Sequence, residues 1–243
     1  MLDKLLPLLC DPIDKVNLKR IKNKLVGTNE YKIKNDIPIM MVDYSEYKWS
    51  TVWDFLQECE YKDYQISSEG IFSDDTRVVA KILSGFLPKI ISGKCLDVGS
   101  GCLAKPAYMN NEIDWYGIDP YFGDKKKEYP FVQGISEKLP FKNKVFDGVF
   151  FGTSLEHCLD PIKAIKESLR VLRKGGKLAI WFSVRAEKQY EIWKDMGGMF
   201  DTHHRWAWSV EDLNDLIIEC GFKNIKYTPL KDKSNKCLIV GEA

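Results

Sequence analysis

The sequence is short of several things, and each shortage removes a class of function. No apolar run approaches the ~20 residues that a membrane helix needs, so no membrane span is expected. The opening stretch Met1–Leu9 is too brief and too interrupted for the apolar region of a signal peptide. Neither sign of charge is in excess: 36 basic against 35 acidic residues leave a net charge of +1. Binding to a nucleic-acid polyanion depends on phosphate neutralisation, so the overall charge argues against such a partner. The seven cysteines (Cys10, Cys59, Cys95, Cys102, Cys158, Cys220 and Cys237) are odd in number, scattered, and contain no C-x-x-C pair. That excludes a disulfide framework and an intact zinc site, and implies a reducing, cytoplasmic setting.

What remains is ordinary globular material. Of 243 residues, 44% are hydrophobic and 29% charged, enough for one large domain, or one domain with an appendage. The chain is organised around Lys94-Cys95-Leu96-Asp97-Val98-Gly99-Ser100-Gly101. An apolar run ending in an acid, then two glycines one residue apart, reads as a buried strand delivering the chain to a tight turn. Glycine there permits positive φ and close approach of a ligand to the backbone. In open α/β sheets ligands bind beyond the carboxyl ends of the strands, near the point where the strand order reverses. Gly99-x-Gly101-x-x-Ala104 also fits a dinucleotide fingerprint, so the turn alone leaves two nucleotide folds open.

The flanking pattern is alternating. Residues 1–43 form a lysine-rich segment with short strands suggested at Tyr31–Ile33 and Ile37–Val42. Residues 44–72 are rich in aromatics, and Trp49, Trp53 and Leu56 share a helix face, as core packing or as a lid. Residues 73–87 read as a helix ended by Pro88. Only about a dozen residues, Cys102–Ile113, separate the turn from the strand ending at Asp119, and they contain Pro106, so this crossover is short or irregular. An acid at Asp119 can accept hydrogen bonds from ribose hydroxyls. Lys125–Lys127 read as a solvated loop, and Tyr129–Gln133 as a third strand. Lys144–Phe151 is a fourth, nearly continuous in apolar residues, as a doubly covered strand should be. Asp160-Pro161 opens a clear helix and Gly175-Gly176 follow it, then strand Lys177–Ser183. After the unperiodic residues 185–208, Ser209 caps a last helix closed by Gly221, and two runs around Lys231–Asn235 form a hairpin.

From Cys95 to about Phe222 the chain resembles the class I S-adenosylmethionine-dependent methyltransferases, in the broad type 11 group. The matching residues are Leu96-Asp97-Val98-Gly99-Ser100-Gly101, Gly117-Ile118-Asp119, Glu137–Phe141, Phe146-Asp147, Leu155-Glu156-His157, Leu169–Gly176, His204–Ser209 and Gly221-Phe222. The ordered set carries the resemblance, since any single motif occurs by chance. It implies an α/β, doubly wound, Rossmann-like sheet of seven strands in the order 3-2-1-4-5-7-6, with strand 7 antiparallel. It also implies S-adenosylmethionine as cofactor, with the methionine end at Asp97 and the Gly99-Ser100-Gly101 turn. The ribose would lie at Asp119, the adenine near Pro120, Tyr121, Ser136 and Glu137, and the transfer centre between Thr153 and Ser154. The chain departs from the family at Leu103, where a third glycine is usual, at Ile135, where an acid is common, and in its short first crossover.

Methyl transfer needs alignment, and a base only where the acceptor must lose a proton. The three histidines, His157, His203 and His204, all fall in loops expected at the mouth of the site, and their ordinary pKa near ~6.5 suits base work. The expected acceptor is a small molecule or a glycan or lipid-linked sugar, methylated on a hydroxyl. The alternatives are an RNA-modifying enzyme, supported only by local lysines, and a non-catalytic partner-binding relative, supported by the departures at Leu103 and Ile135. Residues 1–43 resemble a degenerate form of the small zinc-ribbon domain of the tRNA-methyltransferase-activator type. Cys10 remains of its first cysteine pair and Val26–Asn29 stand where the second would be, so no metal is expected. Residues 44–243 would then be the methyltransferase domain, with lids at 44–72 and 185–208.

Overall fold

The computed structural model describes residues 1–66, 78–184, 204–229 and 235–243. The first residues of the expected helix 73–87, most of the 185–208 element and most of the hairpin loop lie outside the described residues.

A helical turn, α1 (Leu2–Leu5), precedes four short antiparallel strands in sequential order: β1 (Lys19–Ile21), β2 (Lys24–Val26), β3 (Glu30–Lys34) and β4 (Ile37–Pro38). The β3–β4 turn places Asn35 and Asp36 at φ +53° and +62°, the positive pair that a two-residue hairpin demands. Buried Asp11 ties the unit together. Its carboxylate accepts from the Ile13 amide, from the amide and side chain of Asn29, and from the Tyr31 hydroxyl. Among the described residues no group of His, Cys, Asp or Glu is arranged to hold a metal.

This unit is continuous with the rest. Leu5, Leu9, Leu25 and Met40 share one core cluster with Leu96, Val98, Ile118 and Val132 of the large sheet. Ile39 bridges Gln133 in parallel, and the Met40 amide donates to the Gln133 carbonyl at 2.8 Å. The edge strand of the large sheet is thereby paired at its last residue, Gln133.

The large sheet holds β5 (Gly93–Val98), β6 (Ile113–Asp119), β7 (Phe131–Gln133), β8 (Phe146–Gly152), β9 (Leu172–Ser183), β10 (Lys223–Pro229) and β11 (Lys236–Glu242). Its order is β10-β11-β9-β8-β5-β6-β7, and β11 runs antiparallel to both neighbours. That is the order and the single antiparallel strand expected from the sequence. Alternation sorts the apolar runs onto two faces. Leu96, Val149, Phe151, Ile180 and Phe182 face one core; Cys95, Phe150, Ala179 and Trp181 face the other.

Helices cover both faces. α2 (Ser50–Ile66) and α3 (Val78–Phe86) precede the sheet; α4 (Pro161–Val171) and α5 (Val210–Glu219) follow β8 and β9. The two predicted caps form: Asp160 accepts from the Lys163 amide, and Ser209 from the Asp212 amide. No described helix is long and apolar enough to cross a membrane. Two local readings change. Residues 102–112 contain no helix at all, only bends and turns. Lys127, read as part of a solvated loop, is buried at 3% exposure.

Candidate active site

β5 is flanked by β6 on one side and β8 on the other, so the strand order reverses here, and a cleft opens at the carboxyl ends of these three strands. It holds about 370 Å³ of empty space, part of it open to solvent. Of the residues singled out in the sequence, Gly99, Asp119, Pro120, Ser136, Glu137, Ser154 and His157 line it. Asp97, Ser100, Gly101, Tyr121 and Thr153 sit beside it without lining it.

The turn after β5 is fixed from several directions. Gly99 and Gly101 take φ of +77° and +70°. The amides of Gly99 and Ser100 donate to the Ile118 carbonyl. Both Asp119 oxygens accept backbone amides at 2.8 Å, Oδ2 from Gly101 and Oδ1 from Tyr121. The Ser154 hydroxyl donates to the Val98 carbonyl, and a Cβ placed on Gly99 would overlap the Ser154 Cβ. Thr153, at the end of β8, is held at φ +55°, a strained conformation for a β-branched residue.

Behind the turn lie buried ionisable groups. Asp97 is fully buried: Tyr108 donates to its Oδ2 at 2.7 Å, and its Oδ1 has no hydrogen-bond partner among the described residues. Burial pushes its carboxyl up to about 7, with the Tyr108 bond opposing. Burial likewise pushes Asp119 up to about 6, against the two amide bonds. Lys127 donates to the carbonyls of Gly101 and Leu103, and burial pulls its ammonium down to about 8. Glu137 turns inward, where it accepts from the Asp160 amide and the Ser136 hydroxyl and so steadies the start of α4.

The opposite wall comes from α2. Trp53, Gln57, Glu60 and Tyr61 fall on one helical face by their spacing. The Trp53 indole N–H donates to the His157 carbonyl at 2.8 Å, and Trp53 and Gln57 line the cleft. Glu60 Oε1 lies 3.9 Å from His157 Nδ1. The Tyr61 ring stacks on Tyr121 at 4.9 Å and 18°. The His157 and His204 rings meet at 4.9 Å. They are brought together because the Arg205 and Trp206 amides both donate to the Glu156 carbonyl, while the Trp206 indole donates to that of Cys158. His203 lies outside the described residues.

Sequence reasoning passed over Tyr108, Lys127, Gln57 and Glu60. Tyr108 sits in an irregular stretch that gives no period to read. For Lys127 a signal existed: at two-residue spacing it falls in register with Tyr129 and Phe131, and its ammonium lies 4.5 Å from the Phe131 ring centre. Gln57 and Glu60 extend the helical face begun by Trp53.

Residues 96–180 match the family model described as a methyltransferase domain. An uncharacterized protein of Methanocaldococcus jannaschii is 32% identical over 136 residues, 55% of this chain and 65% of that protein. A demethylmenaquinone methyltransferase of Renibacterium salmoninarum is 26% identical over 125 residues, 48% of this chain and 52% of the relative. The chain therefore spans roughly half to two thirds of the length of these curated relatives. Among solved structures, a Burkholderia thailandensis 1,6-didemethyltoxoflavin-N1-methyltransferase, described with S-adenosylhomocysteine bound, superposes with a TM-score of 0.58. The match covers 84% of this chain and 94% of that one at 14% identity, a likeness of fold.

Proposed function

We propose that this chain, which carries a class I S-adenosylmethionine-dependent methyltransferase domain, transfers a methyl group to a hydroxyl of a small-molecule or glycan acceptor. The observation that carries the proposal is the meeting, across one cleft, of an acid-pinned glycine turn with a paired imidazole. Residue chemistry fits the cofactor. Asp97 offers a cationic group a buried oxygen that has no partner among the described residues, and Asp119 uses two of the about four acceptor positions of a carboxylate. Asp97 and the turn would hold the methionine end, Asp119 the ribose hydroxyls, and Pro120, Tyr121 and Ser136 the adenine. When bound, S-adenosylmethionine supplies the electrophilic methyl group.

The chain itself contributes alignment and proton handling. Gly99 and Ser154 set how closely a ligand approaches the end of β5. A ring nitrogen of His157 or His204 accepts the proton of the acceptor hydroxyl, and Glu60, beside His157 Nδ1, favours the resulting imidazolium. Trp53 excludes water on the acceptor side. The RNA reading loses ground because Lys127 is buried, and Lys15, Arg20 and Lys24 are each paired with a carboxylate. A quinol-like aromatic acceptor is the second reading, favoured by the relative named demethylmenaquinone methyltransferase.

The test is calorimetric titration with S-adenosylhomocysteine, then an acceptor screen of sugars, phenols and quinols that reads out S-adenosylhomocysteine release. Binding together with turnover of a hydroxyl acceptor, lost in His157→Ala or His204→Ala, is expected. No heat of binding at any concentration would overturn the enzyme reading.

A further inference from the structure

The turn at Gly99–Gly101 lacks its usual support. In doubly wound folds the glycine turn runs straight into a helix that anchors it and points free amides at the ligand. Here no helix occupies 102–112. Something else must hold the peptide groups after Gly101.

Lys127 does so from the far side. Its ammonium donates at 2.7 Å to the Gly101 carbonyl and at 2.7 Å to the Leu103 carbonyl. The neighbouring amide of Glu128 donates to the Ala104 carbonyl at 2.9 Å. Gly101 is thus bonded at both ends, its amide to Asp119 and its carbonyl to Lys127. Removing an ammonium from water is costly, and this side chain is 3% exposed. No carboxylate of the described residues lies within ion-pair distance of it; the aromatic face of Phe131 and the more distant Asp97 and Asp119 are its electrostatic surroundings. A cation buried without a direct ion partner, and spent on two backbone carbonyls, fits a device for fixing backbone direction better than one for stability alone.

We infer that Lys127 is the positioning residue of the cofactor turn: its buried ammonium, bonded to the Gly101 and Leu103 carbonyls, takes the place of the helix that this crossover lacks. The two carbonyls are drawn inward, which fixes the peptide planes after Gly101 and, with the Gly101 amide held by Asp119, the path of the turn beside the cleft. This rests on the S-adenosylmethionine reading above, and the experiment separates the two.

Lys127→Met keeps the length and the packing on Phe131 but removes the donor; Lys127→Arg keeps a cation with several donors. S-adenosylhomocysteine binding is measured by calorimetry, with thermal unfolding of the unliganded protein in parallel. Wild type should bind, Lys127→Met should bind at least about tenfold more weakly, and Lys127→Arg should recover to within about threefold of wild type. Wild-type affinity in Lys127→Met overturns the inference, as does an equal loss in the Arg variant. Should Lys127→Met not fold, Lys127→Gln, a neutral donor able to satisfy one carbonyl, takes its place. A loss of about threefold or more supports the inference, and unchanged affinity overturns it. Absence of binding by wild type overturns the cofactor reading, and this inference with it.

Discussion

The two walls of the cleft are built differently. The turn wall is backbone, locked by side chains that reach it from β6, from the loop after β8 and from the segment before β7: Asp119, Ser154 and Lys127 all bond main-chain groups there. The helix wall is side chain, carried on α2 and on residues near 204, and it meets the loop after β8 through single contacts such as the Trp53–His157 bond. A wall of bonded backbone holds one ligand shape; a wall of side chains on a peripheral helix is open to substitution. The first suits a cofactor common to a family, the second an acceptor particular to one member.

Gly99→Ala should break that contrast most severely. The new Cβ meets Ser154, and φ is +77°, so both sterics and backbone oppose it. A loss of about 2–4 kcal/mol in denaturant unfolding is expected, with S-adenosylhomocysteine binding abolished. A folded, binding Gly99→Ala protein would show that the turn wall is not rigid. Next comes Asp119→Asn, which puts an amide donor opposite a backbone amide. Calorimetry should give about 100-fold weaker binding; a change under about threefold would mean that Asp119 serves only the fold.

The same contrast decides what could be read without coordinates. The turn wall was legible because its parts are local: an acid, two glycines and a second acid at a fixed distance mark two strand ends, and Asp160 and Ser209 mark two helix starts. The sheet order came from the resemblance, and the hairpin alone argued for an antiparallel edge. The helix wall was legible only in outline, as an aromatic lid over 44–72. Trp49, Trp53 and Leu56 announced a helix face, but nothing local says that Glu60 meets a loop some hundred residues on. Lys127 was misread for a related reason: three successive lysines look solvated, and only the Gly101 and Leu103 carbonyls, brought from the preceding crossover, give one of them a reason to be inside.

Asp97→Asn sharpens the turn wall from within. Asparagine still accepts from Tyr108 but carries no charge. Burial pushes the Asp97 carboxyl up to about 7 from an ordinary 3.8, so the folded chain holds that proton more tightly than the unfolded chain. Stability from this group therefore falls as pH rises from about 4 to about 7 and is level above that. Asp119, pushed up to about 6, adds the same sign over the lower part of the window. Thermal unfolding of the unliganded wild type should weaken between pH 5 and pH 8. Asp97→Asn should flatten the curve and gain on the order of 2–4 kcal/mol at pH 8, while binding S-adenosylhomocysteine more weakly. A variant that gains stability and keeps its affinity would show that Asp97 is not the partner of the ligand's ammonium.

Trp53→Phe is the mildest test and the one that separates the walls. It removes one N–H donor from the His157 carbonyl and leaves the turn untouched. A neutral hydrogen bond is worth about 1 kcal/mol, so kcat/KM for the acceptor should fall about five- to tenfold, while S-adenosylhomocysteine affinity stays within about threefold. The residue lines the cleft as well as bonding the loop, so the ratio of the two effects matters more than either alone. Equal losses in both would mean that α2 closes over the cofactor itself and that the cleft has one wall, not two. A loss confined to turnover places His157 and its backbone under the control of α2, where changes of acceptor can arise without disturbing the turn.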